Sequence, residues 1–300
     1  MTQLMSVSVS SSRHLSCDAR RSTEAKISRS PIGDRVSVII PARNEEAYIG
    51  ETLDHVLPAD PWEVIVVDGY STDRTAEIAE AFGVTVVSSP PGRARQLNAG
   101  AAIATGEVLL FLHADTRLPP SFHQHIRRVL AQASVTAGAF RLRVDAPHRA
   151  LRVIEMFVNW RSRYLQLPYG DQAIFLRAET FRRVGGFANL PIMEDFDLAR
   201  RLRRLGRIVV APASIVTSAR RWLEHGICRT MLINQACIAG YLLGVSPSRL
   251  ALWRHQPRSS RNLQTHDRRC RRLDVPSQVI ILPELSSVGP HRCRARVGFS

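Results

Sequence analysis

The feature that most constrains this chain is a series of four short apolar runs, each separated from the next by one stretch of helical spacing. Residues 36–40 are dominated by β-branched side chains and stop at Pro41, and residues 63–67 stop at Asp68. A third run covers 84–87, and the fourth, 107–112, stops at His113-Ala114-Asp115. Between them, residues 45–57, 72–82 and 93–104 place apolar residues at helical intervals. Runs this short, apolar on both faces, predict strands covered on both sides, and strands alternating with helices predict a parallel sheet. The expected fold is therefore α/β: a mostly parallel, doubly wound sheet with helices on both faces. Open sheets of this kind bind ligands at the carboxyl ends of their strands. Asn44, Glu45, Asp68 and Asp115 collect at those ends.

The second half alternates less regularly. Residues 137–144 and 173–176 predict strands, 149–161 and 194–205 helices, and 208–210 a further strand, with a break at Gly185-Gly186-Phe187. A long apolar helix is expected over about 222–243. Residues 1–34 and 254–300 carry scattered Ser, Arg and Pro without sustained periodicity and predict loosely ordered ends, apart from a short strand at QVIILP near Gln278. The resulting plan is one domain over 35–253. It has a nucleotide-binding half (35–118), an acceptor half (119–222) and C-terminal helices (223–253).

Charge needs care, because the net +15 comes almost wholly from arginine, with Lys26 the one lysine. Arginine forks suit phosphates, but a compositional bias of the genome explains the excess equally well. From Arg254 onward ten arginines face Asp267, Asp274 and Glu284, so much of the charge belongs to the end of the chain. Five cysteines without metal spacing fit a reducing compartment. No secretory signal is visible, and the 227–245 stretch is interrupted by Arg229, Asn234 and Gln235. The expected location is cytoplasmic. Peripheral contact with the inner face of the membrane is the competing use of the 222–243 segment, where Trp222, Met231, Leu232 and Tyr241 accompany arginines.

Acidic residues favour helix starts, and that reading suffices for Asp73, Glu77 and Asp197. It is weaker for Asp68 and Asp115, which lie where an open sheet presents ligands, and Glu194-Asp195 is open to either reading.

The segments VSVIIPARNEE, EVIVVDGYSTDRT, GRARQLNAGAAIATGEVLLFLHADTRLPP and VGGFANLPIMEDFDLARRLRRLG resemble, in order and spacing, the successive motifs of family 2 glycosyltransferases, which have the GT-A fold. The HAD and RARQLNAG details are similar to a bacterial subgroup likened to carotenoid-acid glycosyltransferases. The resemblance implies an inverting transfer of sugar from a nucleotide-sugar, a uridine nucleotide by default, to the hydroxyl or carboxyl of an unidentified acceptor, for which a lipid-like or carotenoid molecule is the candidate. It implies that Pro41, Asn44, Glu45, Asp68, Arg93, Asn98, His113, Arg221 and Trp222 bind the nucleotide-sugar. Asp115 would hold a divalent metal, Mn2+ or Mg2+, and Asp195 beside Glu194 would deprotonate the acceptor. Asp171 and Gln172 fall where acceptor contacts are expected. Two departures stand out: Gly69-Tyr70 replaces the family's Asp-Gly after Asp68, and His113 replaces the first acid of the acid-x-acid motif. An imidazole there either ligates the metal, binds the ribose or is structural.

Two other classes compete. A nucleotidyltransferase shares the sheet and the metal acids, but PARNEE is not the Gly-rich basic loop such enzymes carry after the first strand. A basic nucleic-acid-binding protein fits the charge. It would, however, interleave aromatic platforms with its cations, and here Phe and Trp sit mostly inside apolar runs, so no specific nucleic acid is expected.

Overall fold

In β1 (Val36–Ala42), Val36, Val38, Ile40 and Ala42 pack into one core layer and Ile39 into another, and all five are buried. The same alternation recurs in β2 (Glu63–Asp68) and β4 (Val108–Phe111). A strand with no solvent face needs helices on both sides, and the computed structural model, which describes residues 35–254, supplies them. One layer is packed by α1 (Ile49–Val56), α2 (Thr75–Ala81), α4 (Phe122–Leu130) and α5 (Arg149–Tyr164). The other is packed by α3 (Arg93–Ile103), α6 (Ala178–Arg183) and α7 (Glu194–Arg203). Gly100 of α3 presses on the sheet so closely that a Cβ there would lie 2.5 Å from Ile39 Cγ2.

The sheet has eight strands in the order β3-β2-β1-β4-β7-β6-β8-β5, adding β3 (Thr85–Ser88), β5 (Thr116–Arg117), β6 (Val135–Asp145), β7 (Phe175–Arg177) and β8 (Arg207–Ser218). The strands β3, β2, β1 and β4 are parallel, as expected. The rest is mixed: β7 runs antiparallel to both β4 and β6, β6 pairs parallel with β8, and β5 is antiparallel to β8. Strand β8 extends well beyond the expected 208–210. Its register against β6 shifts between Ala139 and Arg141, opposite residues 211–213, where Pro212 can sit without breaking a ladder bond.

The expected helix over 222–243 is two helices. Gly226, at φ +84°, separates α8 (Arg220–His225) from α9 (Ile227–Leu242), and α10 (Pro247–Arg254) folds back against α9. A small core of Ile192, Cys237 and Leu250 ties these helices to the start of α7. No helix among the described residues is long and apolar enough to cross a membrane. The expectations for residues 1–34 and 255–300, including the strand near Gln278, lie outside the described residues.

Candidate active site

The loops after β1 and β2 brace one another. Asn44 takes a left-handed conformation (φ +54°), which asparagine tolerates. Its Oδ1 accepts a hydrogen bond from Thr72 N at 2.9 Å, and its own N–H donates to Ser71 Oγ. Glu45 N donates to Thr75 Oγ1 at 2.7 Å, and the buried Asp68 carboxylate accepts from Ser71 N at 3.1 Å. Beneath them Gln96 donates to the carbonyls of Ala42 and Val67, and its amide leaves Gly69 no room for a Cβ. Tyr70 stands exposed at φ +59°, a strained conformation for a bulky side chain.

Arg220, at the start of α8, joins this region to the end of β4. Its Nη2 donates to both oxygens of Glu45 at 2.8 and 3.0 Å, lies 3.8 Å from Asp115 Oδ2, and the guanidinium covers the Tyr48 ring. Burial raises the Glu45 carboxyl above its ordinary value and Asp115 adds to that, while Arg220 opposes it. Among the described residues no three His, Cys, Asp or Glu side chains converge as a closed metal cage. The donor set instead fits an ion shared with a diphosphate, for which one or two carboxylates suffice. Asp115 is one such carboxylate at an open strand end. His113 is turned the other way, its Nε2 against the Arg93 guanidinium, where it must accept because arginine only donates.

A second cluster lines a cleft between α3, the turn at Gly170–Gln172 and the start of α7. Arg93, His113, Asp171, Glu194, Asp195 and Arg221 all face it. Arg93 Nε lies 3.4 Å from the buried Glu194 carboxylate. Asp195 accepts Gly170 N on Oδ2 and Phe196 N on Oδ1, each at 2.7 Å, which fixes its rotamer at the helix start. The carboxylate retains further lone pairs for a ligand. A Cβ on Gly170 would meet both Arg93 and Asp195, so glycine permits this convergence. Asp171 differs from the others. The residue keeps some exposure, but its Oδ1 is buried with no hydrogen-bond partner. Burial pushes its carboxyl up; Arg161, Arg93 and Arg221 oppose the shift and Asp195 reinforces it. Arg161 itself covers the Tyr169 ring at 3.5 Å, and burial raises the Tyr169 hydroxyl to about 12. Arg221 acts electrostatically on both Glu45 and Asp171, and so links the two clusters.

A doubly wound sheet thus carries braced loops at its strand ends and a cleft lined by arginines and carboxylates. The chain belongs to glycosyl transferase family 2, whose pattern it matches over residues 37–188, just over half its length. It is 28% identical over 211 residues to the probable glycosyltransferase YdaM of Bacillus subtilis, covering 60% of this chain and 50% of that protein. It is 27% identical over 234 residues to the β-monoglucosyldiacylglycerol synthase of Synechocystis, covering 65% of this chain and 48% of that one. The chain thus spans about half the length of these curated relatives. The S. aureus TarS 1-349 structure in complex with UDP has a similar fold, with 20% identity and a TM-score of 0.50, covering 61% of this chain and 60% of that one.

Among the residues singled out by sequence, Arg93, His113, Asp171, Glu194, Asp195 and Arg221 meet in the cleft. Pro41, Asn44, Glu45, Asp68 and Asp115 lie at the strand ends. Three others are placed elsewhere. Both polar ends of the Asn98 amide bond the backbone of Phe187, so this side chain fastens α3 to the Gly186 turn. Gln172 is fully buried, bonded to Ser162 and the Phe140 carbonyl, and supports the turn from below. Trp222 packs half-buried on the main core. Sequence reasoning missed Tyr48, Gln96, Arg161 and Tyr169, and, for Arg220 of the Arg220-Arg221-Trp222 segment, it missed the partner. Arg220 meets Glu45 across 175 positions, a pairing with no local signature.

Proposed function

We propose that the chain transfers a sugar, with inversion, from a nucleoside-diphosphate sugar to the hydroxyl or carboxyl of a lipid-like acceptor, of which a carotenoid acid is one form. The observation that carries this reading is the cleft itself, where Arg93, Asp171, Asp195 and Arg221 meet from separate elements; the strand-end acid Asp115 lies 3.8 Å from Arg220, the neighbour of Arg221 in sequence. Asp68 and the braced loops around Asn44 and Glu45 receive the nucleoside, with a uridine nucleotide as the default. Arg93 and Arg221 face the diphosphate, as planar forks suited to its oxygens. A divalent ion, Mn2+ or Mg2+, held by Asp115, supplies neutralisation of charge on the leaving diphosphate when bound. Asp195, held by two backbone N–H groups, takes the proton from a hydroxyl acceptor as it attacks the face opposite the leaving group, a step that an already ionised carboxylate acceptor does not need. Glu194 stays paired with Arg93 and orients it.

The relatives support a lipid-like acceptor only by their names, which include a diacylglycerol glucoside synthase and an undecaprenyl-phosphate transferase. The test is donor hydrolysis by the full chain across nucleotide-sugars in the presence of Mn2+. One donor is expected to be consumed faster than the rest, and faster than with Asp195→Asn. No hydrolysis of any donor, together with no binding of any nucleoside diphosphate, refutes the reading.

A further inference from the structure

Helix α5 is apolar on two faces. Its inward face packs Leu151, Ile154 and Val158 on the core beside the buried Glu155, Arg161 and Ser162, whereas Val153, Met156, Phe157, Trp160 and Tyr164 face solvent at intervals of three and four residues. Met156 is 67% exposed, Tyr164 62% and Trp160 51%. Most polar groups inside have partners: Glu155 accepts from Val144 N and pairs with Arg152, Arg161 Nε donates to the Leu167 carbonyl, and Ser162 bonds Gln172, while Arg161 Nη2 is buried without a hydrogen-bond partner. Outside, the rings of Phe157, Trp160 and Tyr164 touch in series, with centroids 6.4 and 5.8 Å apart. A contiguous exposed apolar ridge marks a contact surface, because isolated apolar side chains scatter whereas these follow one helical stripe.

We infer that this ridge docks the protein on an anionic lipid bilayer. The charge around it decides among occupants. The one acid of α5 is the buried Glu155, while Arg149 and Arg163 flank the ridge exposed. Helices α9 and α10 contain no acidic residue, carry Arg229 and Arg249, and expose Leu232, Leu242, Leu252 and Trp253; α9 touches α5. Three helices that offer aromatic rings, leucines and arginines and carry no exposed acid of their own complement the interface of an anionic membrane, where Trp and Tyr settle at headgroup depth. The same surface on a second copy would set arginine against arginine. The helix also leads to the site: residues 165–169 run from its end into the turn that carries Asp171, so a lipid-borne acceptor on the bilayer would reach the cleft along the helix that holds the membrane. This rests on the reading of a lipid-like acceptor only for its purpose, since docking itself needs neither donor nor acceptor.

The experiment is flotation of the full chain with vesicles of phosphatidylcholine alone and of phosphatidylcholine mixed with phosphatidylglycerol, without nucleotide. The wild type is expected to float with the mixed vesicles and much less with phosphatidylcholine. The triple substitution Met156→Ser, Trp160→Ser and Tyr164→Ser is expected to weaken that binding about tenfold or more, as three apolar side chains lose their burial in the interface, with an unchanged melting temperature. As a second measurement, brominated acyl chains quench tryptophan fluorescence, and Trp160→Phe is expected to remove part of that quenching. Undiminished flotation of the triple variant would overturn the proposal and assign binding to the arginine-rich residues 254–300. Absence of wild-type flotation would overturn it too, as would a wild-type dimer in light scattering that the triple variant converts to monomer. Donor hydrolysis without vesicle binding would leave the transferase reading standing and remove this one.

Discussion

At the ends of β1 and β2, Asn44, Glu45 and Asp68 make hydrogen bonds within the protein, whereas at the start of α7 and the turn before β7 the polar groups are only partly matched. There Asp171 Oδ1 and Arg161 Nη2 are buried without hydrogen-bond partners. Buried polar atoms are ordinarily satisfied, because leaving one unpaired costs about 1–3 kcal/mol. The first region is braced by its own hydrogen bonds, as would suit the constant part of the proposed substrate, the nucleotide. The second holds unmet hydrogen-bonding capacity at the point where acceptor and base would meet. On the proposed reading the first region is the nucleotide side, and the second, which also holds the diphosphate-facing arginines, is the side of the acceptor and the base. Arg220 pairs with the first region, and Arg221, next in sequence, lines the second while acting electrostatically on both.

The largest expected effect belongs to the acceptor side. Asp195→Asn should lower turnover by a factor on the order of 10²–10⁴, the usual contribution of a positioned base. Glu194→Gln should do less, because its carboxylate faces Arg93. Steady-state transfer rates check this; near-normal turnover in Asp195→Asn would move the base to Asp171. The donor side should show its stiffness in Gly100→Ala. The new Cβ has Ile39 and Val67 within 2.9 Å, so denaturant unfolding should show a loss of about 1–3 kcal/mol.

A subtler contrast concerns pH. An acid whose pKa is raised by folding contributes stability that is complete below the ordinary aspartate value and is lost as pH climbs through the raised value. Burial places Asp171 in this class. Asp171→Asn is therefore expected to melt a few degrees above the wild type at neutral pH, the gap closing in acid, while transfer falls. A lower melting temperature at neutral pH would mean that the lost pairing with Arg161, Arg93 and Arg221 outweighs the relief from burial. The smallest effect is expected at Asn44. Asn44→Gly keeps the left-handed backbone and loses only the bond to Thr72, whereas Asn44→Ala adds about 1–2 kcal/mol of backbone strain. Thermal denaturation of the two variants should rank them in that order.

Sequence made the donor half legible because its information is local. A strand buried on both faces is an unbroken apolar run, and its end is marked by the first polar residue. The helices begin later than their periodicity suggests for a physical reason. Helix α1 starts at Ile49 because Asn44 and Glu45 are bonded to the neighbouring loop, and α2 starts at Thr75 because Thr72 is held by Asn44. In the other half, β8 hid behind Pro212, and the register shift that accommodates it depends on β6, some seventy residues earlier. Placement was legible where one residue sits at one strand or helix end, as with Asp68, Asp115 and Asp195, whose roles belong to the proposal. It was not legible where a side chain works across the fold. Asn98 and Gln172 lie in motif-rich segments yet serve as struts, and the bond between Arg220 and Glu45 requires the whole sheet to be assembled first.

The claim that binding and chemistry belong to different regions is tested most directly by calorimetric titration of UDP, with and without Mn2+, into the wild type, Asp115→Asn and Asp195→Asn. The wild type is expected to bind UDP more tightly with Mn2+ present. Asp115→Asn should lose that gain while keeping its melting temperature, and Asp195→Asn should retain it in full. If Asp195→Asn loses metal-dependent affinity, or Asp115→Asn keeps it, the division between a donor side and an acceptor side is wrong.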